Sequence, residues 1–394
     1  MLLLSSMNKI NLQIKKNNIL KIFNIIQEFE PLSRRDVERI SGLSWGTVSS
    51  VCTDLIKVGY INTYKETVAQ MGRTPDRLVV NRADNLVLGI DINIIGLSFV
   101  VSDLAGNIID SCFEKLISIE KNLIIEQVVS KIETLFKTYK KFLNINISMQ
   151  GQVDSEKGIS LFVEQFSNWN NINITQIISE RFQTPTYLYH DPDCLMYYNL
   201  VKRKNKFSKL DNVILLKMDE SIGMSLLLSG EIYKEETEIA HICVETNGRS
   251  CKCGKQGCLD TYSSLGGLTS IYNDKFGRKL QPVEFITLLD VKNKDAVNLL
   301  EDGIRYLGIA LSNLINILNI KTVCLEGLMM KYSSYLINNL RNILLENVKF
   351  DVSIIVNDYL LESPALGASL KTINQNLEKI IFSKKELLDA EGKN

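Results

Sequence analysis

Strand and helix patterns alternate in two successive series along this 394-residue chain, and that alternation leaves few architectures open. The first series opens with an apolar run at residues 86–92 and closes with a strand pattern at 186–189. The second series extends from 213–218 to 322–325, and a polar stretch at 202–211 separates the two. Regular alternation predicts α/β layers, so we expect a bilobal body with a ligand cleft between its lobes.

Charge is distributed unevenly, although the 45 basic and 45 acidic residues of the whole chain balance. Residues 1–82 hold 12 basic and 7 acidic side chains, which puts a basic head on an acidic body. A local basic surface favours contact with nucleic acid. No stretch approaches the ~18 uninterrupted apolar residues of a membrane span, and the opening leucine run lacks the basic flank of a signal peptide. We therefore expect a cytoplasmic protein with no membrane partner.

The basic head has the pattern of a helix-turn-helix. Its first helix carries an apolar stripe of Ile19, Ile22, Phe23, Ile26 and Phe29. Ser33 is placed to cap a short second helix with Asp36 in its first turn, and Gly42 marks the turn that follows. Ser44 can cap a third helix, and Gly59 stands where a left-handed helix end is typical.

Helix, turn and helix at this spacing are typical of a protein that reads the DNA major groove. Residues 60–64 and 78–80 are predicted strands, and the loop between them would form a wing near phosphates or the minor groove. The candidate DNA contacts are Arg34, Ser44, Trp45, Gly46, Thr47, Ser49, Ser50, Arg73 and Arg77. Three-helix interaction domains share this helix spacing, but the caps, the wing and the local charge together favour a winged helix-turn-helix.

Three of the eight cysteines crowd into a short segment, while the others are scattered. Cys251, Cys253 and Cys258 suit a metal site in a reducing compartment better than a disulfide framework. Cys243 lies nearby but outside that spacing, and we expect it to be a core residue.

Nearly the whole chain resembles the ROK family, named for repressors, open reading frames and sugar kinases. Residues 32–49, with the Gly-Arg-x-Pro element at 72–75, look like the DNA-binding domain of its xylose-repressor-like members. Residues 151–154 and Trp169 are similar to the family's sugar segment in the first lobe. The resemblance implies an N-terminal winged helix-turn-helix followed by a bilobal actin-like ATPase or sugar-kinase fold, of the ribonuclease H-like type.

The resemblance also implies how the chain is divided. Residues 1–82 would form the DNA-binding domain, residues 83–205 the first α/β lobe, and residues 206–364 the second α/β lobe with a zinc knuckle. A C-terminal helix at about 365–394 would return to the first lobe.

The family's zinc signature is matched by His241 together with Cys251, Cys253 and Cys258. Four ligands of this kind match tetrahedral zinc, and the glycines inside the segment permit the tight turns that bring three thiolates to one ion. The chain has only two histidines, and one falls at the required spacing. We therefore expect bound Zn²⁺ rather than a set of buried free cysteines.

The resemblance places a sugar site beside the zinc. The family's Glu-x-Gly-His segment corresponds to Glu238–His241, with alanine in place of glycine, and Phe166 stands where the family has an asparagine. The family's acidic residue after the last cysteine corresponds to Asp260, and its kinase base corresponds to Asp191. Carboxylates accept hydrogen bonds from vicinal hydroxyls. The sugar ligands that the resemblance implies are Asp191, Glu238, His241 and Asp260.

The loops that hold ATP phosphates in kinases of this fold are altered. The first, commonly Asp-x-Gly-Gly-Thr, keeps only Asp91, and the second, commonly Gly-Thr-Gly-Ile-Gly, begins with Asp219 and Glu220. The glycines on the adenosine side are also reduced, to the single Gly327. Without glycine the backbone amides lose their close approach to phosphate, and two carboxylates oppose a polyanion. We expect no catalytic activity, with Asp191 as a vestigial base.

These inferences predict a sugar-responsive transcription regulator, in the first place a repressor of carbohydrate genes such as those for xylose. It would bind a double-stranded DNA operator as a homodimer or tetramer and leave it when a mono- or small oligosaccharide effector binds. Two alternatives stay open. One is a sugar kinase with a DNA-binding appendage, and the other is a regulator controlled by a protein partner or a sugar phosphate.

Overall fold

The computed structural model describes residues 2–65, 76–235 and 237–375. Its N-terminal part, which we call the head, consists of α1 (Leu2–Phe29), β1 (Leu32–Ser33), α2 (Arg34–Ser41), α3 (Trp45–Lys57), β2 (Ile61–Lys65) and β3 (Asp76–Val80). β3 pairs antiparallel with both β1 and β2 in one small sheet. The predicted wing loop, with Arg73, falls on residues 66–75 and lies outside the described residues.

Side-chain caps set the bounds of α2 and α3. The Ser33 hydroxyl accepts a hydrogen bond from the Asp36 amide (3.2 Å), and the Asp36 carboxylate accepts one from the Ser33 amide (3.0 Å). This reciprocal pair is a capping box. Ser44 caps α3 by accepting a hydrogen bond from the Thr47 amide (3.3 Å), and Gly42 ends α2 in the left-handed region at φ 66°. The caps predicted from the sequence are confirmed.

An apolar core joins the three helices of the head. On α3 the buried residues are Val48, Val51, Cys52 and Leu55, which form one stripe. On α1 the predicted stripe is buried at Ile19, Ile22, Phe23 and Ile26. Its fifth member, Phe29, is 51% exposed. Phe29 is the last residue of α1, where the chain turns away towards β1.

The first lobe is built on a five-stranded sheet with helices against it. Its elements are β4 (Leu86–Asn93), β5 (Gly96–Asp103), β6 (Ile108–Glu114), α4 (Lys121–Tyr139), β7 (Ile145–Met149), β8 (Gln152–Asp154), β9 (Ile159–Phe162), β10 (Asn170–Ile172), α5 (Ile174–Phe182) and β11 (Thr186–His190). The strand order is β11-β7-β4-β5-β6, with β11, β7 and β4 parallel. Strands β8 to β10 form a separate small sheet. Parallel strands β7 and β11 therefore end at the same edge of the main sheet.

The second lobe repeats this plan with the strand order β14-β13-β12-β15-β16. Two helices lead from the first lobe into it, α6 (Asp191–Lys202) and α7 (Lys204–Phe207). Its own elements are β12 (Val213–Met218), β13 (Ile222–Leu228), β14 (Glu231–Ile232), α8 (Asp260–Ser263), α9 (Leu265–Phe276), α10 (Pro282–Asp290), α11 (Lys294–Leu318), β15 (Thr322–Glu326), α12 (Ser333–Asn347) and β16 (Ser353–Val356). A last helical segment, α13, covers residues 363–375. In the part of the chain described here, no helix has the length and apolarity that a membrane crossing requires.

The head shares its core with the body of the molecule. Val87 of β4, Leu104 after β5 and Ile373 of α13 are buried in the same apolar cluster as α1 and α3. The Arg82 guanidinium lies 3.0 Å from the buried carboxylate of Asp103. It also pairs with the carboxylate of Glu30, the residue that follows α1. A movement of α13 or of the first-lobe sheet therefore acts directly on the head.

Candidate ligand cleft and metal centre

The four predicted zinc ligands converge, although they come from separate turns. His241 lies at the end of a short 3-10 helix, Ile239–His241, and the three cysteines lie on the turns that follow. Gly257 has a positive φ of 73°, and a Cβ there would lie 1.8 Å from a backbone oxygen, so only glycine fits this turn. The ligand atoms of all four residues lie within 4.8 Å of one another. We call this group the Cys/His cluster.

The distances inside the Cys/His cluster match a tetrahedral metal site. Cys253 Sγ lies 3.7 Å from Cys258 Sγ, and Cys251 Sγ lies 3.7 Å from His241 Nδ1. With metal–sulfur bonds of about 2.3 Å, the ligand atoms at two corners of a tetrahedron around zinc stand about 3.8 Å apart. Cys251 and Cys258 are buried, which limits the access of water to the cluster. The donor set and its spacing therefore fit a four-coordinate, closed metal site.

Cys243 is exposed, so its predicted place in the core is wrong. Its backbone pairs antiparallel with Cys258, and the next residue's amide donates to the Gly257 carbonyl (2.8 Å). The neighbouring residue Ile242 is also exposed, so this segment lies at the protein surface. Cys243 consequently stays outside the Cys/His cluster.

A cleft of about 280 Å³ lies between the two lobes. The first lobe contributes the residues that follow β7 and β11, because parallel strands present their carboxyl ends at one edge. The second lobe contributes the β12–β13 hairpin and the segment before the Cys/His cluster. The polar side chains of the lining are Gln150, Gln152, Glu164, Gln165, His190, Asp191, Lys217, Asp219, Ser221, Thr237, Glu238, His241, Lys252 and Cys253.

Three of the four predicted sugar ligands line this cleft, namely Asp191, Glu238 and His241. Asp191 is the first residue of α6 and is buried, whereas the Glu238 side chain is 40% exposed and lies 3.8 Å from His241 Nε2. The structure therefore brings a buried and an accessible carboxylate to one pocket beside the Cys/His cluster. Such a pair can accept hydrogen bonds from several hydroxyl groups.

Asp260, the fourth predicted sugar ligand, is not part of the cleft lining. It is buried behind the β12–β13 hairpin, where its Oδ1 accepts hydrogen bonds from the Ser221 hydroxyl (2.8 Å) and the Ile222 amide (2.9 Å). Burial raises the pKa of Asp260 to about 6, although these two hydrogen bonds act in the opposite direction. In this structure the carboxylate holds the hairpin, which in turn forms one wall of the cleft.

Backbone amides at the two former phosphate loops are occupied by the protein's own side chains. In the β4–β5 turn, Asn93 Oδ1 accepts hydrogen bonds from the amides of Ile95 (2.8 Å) and Gly96 (3.2 Å). In the second loop, Asp260 Oδ1 accepts a hydrogen bond from the Ile222 amide (2.9 Å), and on the adenosine side Asp219 Oδ1 accepts one from the Leu328 amide (2.6 Å). Amides that would otherwise bind phosphate oxygens already have acceptors, and one of those acceptors is an anion.

The outer face of α3 carries small polar side chains. Ser44, Gly46 and Ser50 are exposed, while Thr47 and Ser49 are half-buried. Trp45 is 39% exposed, and the Arg35 guanidinium lies over its ring at 4.0 Å. These side chains leave room for a close approach of the helix to a groove. Arg35 was not among the predicted contacts; it lies on α2, and its cation–π contact joins α2 to the first residue of α3.

Two predicted DNA contacts have partners inside the head. Arg34 Nη1 donates to the Ser49 hydroxyl (3.1 Å) and to the Thr53 hydroxyl (3.1 Å), so it fixes α2 against α3. Arg77 Nη1 lies 3.2 Å from the Asp36 carboxylate. Both arginines therefore hold elements of the head together: Arg34 joins α2 to α3, and Arg77 joins β3 to α2.

Lys217 is a residue of the cleft that sequence reasoning missed. It lies on β12, is buried, and its ammonium pairs with Asp191 and lies 3.0 Å from Asp219 Oδ2. Burial alone would lower the pKa of Lys217, but Asp191 and Asp219 hold it well above its usual range. The signal in the sequence was a single charge inside an apolar strand run, which is rare without a partner.

The model of the ROK family matches residues 87–373 of the chain. Among proteins with assigned functions, the xylose repressor of Bacillus subtilis strain 168 is 26% identical over 382 residues, which cover 93% of this chain and 97% of that repressor. The match to the repressor includes the head, since it spans nearly the full length of both chains.

Two solved structures show the same fold. A ROK family transcriptional regulator described as a homologue of the Escherichia coli MLC protein superposes with a TM-score of 0.77 at 21% identity, over 94% of this chain and 98% of its own. A ROK family glucokinase from Streptomyces griseus, in complex with glucose and AMPPNP, gives a TM-score of 0.62 at 16% identity. The glucokinase match covers 72% of this chain and 98% of the kinase. The predicted fold, a small helix-turn-helix head on a bilobal actin-like body, is confirmed.

Proposed function

Because this chain belongs to the ROK family, we propose that it is a sugar-responsive, DNA-binding transcription repressor. The observation that carries the proposal is the junction of a capped helix-turn-helix with a polar cleft through one shared core. The full-length match to a xylose repressor supports this reading, and makes carbohydrate genes, those for xylose included, the expected targets. A protein that binds operator DNA would work in the cytoplasm, and a twofold operator calls for a homodimer or a larger symmetric assembly.

We propose three functional segments along the chain. Residues 1–82 would bind DNA through α3 and the wing, residues 83–205 and α13 would form the first lobe, and residues 206–364 the second. Zinc is the metal that best suits the Cys/His cluster, because three thiolates and an imidazole in a closed tetrahedron are typical of structural zinc. Such an ion would fix the segment that carries Glu238 and His241.

A physical route connects the cleft with the head. Asp191 begins α6, and two residues later Asp193 lies 3.5 Å from Lys371 Nζ on α13. Thr372 of α13 also shares a hydrogen bond with the Tyr189 hydroxyl (2.9 Å), and Ile373 lies in the core of the head. A ligand that moves the start of α6 would therefore shift α13 and tilt the head. In a dimer, that tilt would misplace two recognition helices relative to half-sites about one helical turn apart.

The cleft favours a neutral sugar over a sugar phosphate. Its lining holds four carboxylates, of Glu164, Asp191, Asp219 and Glu238, against the two lysines Lys217 and Lys252. Because Lys217 is already paired with two of these carboxylates, a phosphate group would meet an excess of negative charge.

We expect no binding of ATP and no phosphoryl transfer. Amides of both altered loops, those of Ile95 and Ile222, have internal acceptors, and Asp219 adds an anion where a polyphosphate would lie. Titration calorimetry with Mg·ATP should show no heat of binding at millimolar nucleotide. Measurable ATP affinity together with sugar-dependent release of ADP would instead identify a sugar kinase with a DNA-binding head.

Glu238→Gln should weaken sugar binding while operator binding without sugar is kept. Hydrogen bonds to a charged acceptor contribute about 1.5–3 kcal/mol, so the expected loss of sugar affinity is roughly 10- to 100-fold. Calorimetry with the tightest-binding sugar of a panel measures the effect. Glu245→Gln is the matched control, since Glu245 is exposed in the same region but does not line the cleft. Equal affinities of both variants for sugar would remove Glu238 from the site.

Selection of duplexes from a random DNA pool tests the proposed function directly. The full-length protein should enrich a palindromic sequence, and its affinity for that sequence should fall steeply with salt because phosphate contacts release counterions. Recovery of a pool without a common sequence would contradict specific DNA binding.

A further inference from the structure

One charged group in the cleft has no part in the proposed sugar contacts, namely the buried ammonium of Lys217. Lys217 lies on the face of β12 that it shares with Val213 and Leu215, which pack against α6. Its side chain is 5% exposed, as little as that of Asp191. A lysine this buried is costly unless carboxylates surround it.

Two carboxylates, one from each lobe, contact this ammonium, and a third acts on it from a distance greater than 4 Å. Asp191 pairs with it from the start of α6, and Asp219 approaches from the hairpin after β12 with a 3.0 Å contact. Asp91, fully buried on β4, interacts with both Lys217 and Asp191. Asp91 is itself held by the Ser148 hydroxyl (2.6 Å) and the Asn93 amide (2.5 Å).

Other polar groups lie near Lys217, but none of them neutralises its charge in place of these acids. The ring of Tyr359 lies 6.0 Å from Nζ, and His190 Nε2 lies 3.8 Å from the far oxygen of Asp191. Glu326 is opposite Lys217 on β15, but its carboxylate is taken by Arg203 Nη1 (2.9 Å) and the Asn199 amide (2.8 Å). The ammonium is therefore the single cation that the three acids share among the described residues.

We propose that Lys217 is a built-in cation that joins the two lobes, and that it occupies a place which the same three carboxylates would otherwise give to a divalent metal ion. Oxygen ligands from Asp91, Asp191 and Asp219 are those that Mg²⁺ and Mn²⁺ prefer. Lys217 thus replaces an exchangeable ion by a permanent one. The inference concerns the charge of the cleft and is independent of DNA binding.

Lys217→Ala tests the proposal in the full-length, zinc-loaded protein. Removing the side chain leaves a pocket with three acids, so the variant should bind one Mn²⁺ per chain, counted by the loss of the free-ion signal in electron paramagnetic resonance. Bound ion should also raise its melting temperature, because it stabilises only the folded state. The unaltered protein should show neither effect. Lys252→Ala is the matched control, because Lys252 is an exposed lysine of the same cleft.

Two further variants make every outcome decisive. Lys217→Ala combined with Asp191→Asn should lose the acquired Mn²⁺ site, because one of its acids is gone. Lys217→Met keeps the length of the side chain but not its charge, and should melt well below the unaltered protein. A Lys217→Ala variant that folds and binds no Mn²⁺ would overturn the proposal. If Lys217→Ala does not fold with or without Mn²⁺, a Lys217→Met variant as stable as the unaltered protein would overturn it equally.

Discussion

Cys253→Ser is expected to release the metal and to lower the melting temperature of the protein by roughly 10 °C or more. Structural zinc contributes its binding free energy to folding, and a loss of only about 4 kcal/mol of that free energy is enough for such a shift in a domain of this size. The serine hydroxyl is a hard, neutral ligand and does not replace a thiolate. Elemental analysis of the purified protein gives the metal content, and thermal unfolding with and without a chelator gives the stability.

The chain supplies a close control for this experiment. Cys243 is an exposed cysteine next to the Cys/His cluster, and Cys243→Ser removes a thiol from the same knuckle without removing a ligand. We expect full metal content and an unchanged melting temperature for Cys243→Ser. If Cys253→Ser retained one metal ion per chain, or if the unaltered protein contained none, the assignment of the cluster would be wrong.

Ser50→Asp is expected to lower operator affinity by about 100-fold, because a carboxylate on the outer face of α3 would meet the phosphates of the groove. Ser50 is exposed and lies one helical turn beyond Gly46, on the surface proposed to enter the major groove. Fluorescence anisotropy with the selected duplex measures the affinity.

Ser130→Asp carries the same change on an exposed position of α4, far from the head in sequence, and should bind DNA like the unaltered protein. It therefore separates a local effect at α3 from the change in net charge. Equal losses for Ser50→Asp and Ser130→Asp would indicate non-specific electrostatic binding instead of recognition by α3.

Local features of the head were predictable because short-range chemistry decides them. Ser33 and Ser44 each need only an amide three residues away, and those caps fixed both helix starts. The Cys/His cluster was predictable because its residues match the zinc signature that the resemblance to the ROK family implies. The exposure of Cys243 was not predictable, because it depends on how the knuckle folds and not on the spacing of the cysteines.

The cleft could be predicted only in part, because its parts come together over long distances in the chain. Asp191 and Lys217 belong to different lobes, and Asp91 lies still further away, so no local pattern shows that they share a pocket. Asp260 has the sequence position of a ligand, but the hairpin next to it uses its carboxylate. Tertiary packing therefore decided which acids face the ligand and which support the wall.

The proposed absence of phosphoryl transfer has a structural basis in the cleft. Internal acceptors occupy amides of both hairpins, and Lys217 neutralises the residue at the position of the kinase base. The proposed sugar ligands Glu238 and His241 line another part of the same cleft. A binding event there is free to act on α6 and α13 instead of on a nucleotide.

Titration of the protein–operator complex with a panel of neutral monosaccharides and small oligosaccharides, xylose included, addresses the central claim most directly. The account predicts that one of these sugars lowers operator affinity at a fixed salt concentration, with no nucleotide present, and that Glu238→Gln requires a higher concentration of it. Operator affinity that no sugar of the panel changes, although the same sugars bind the free protein, would contradict the account.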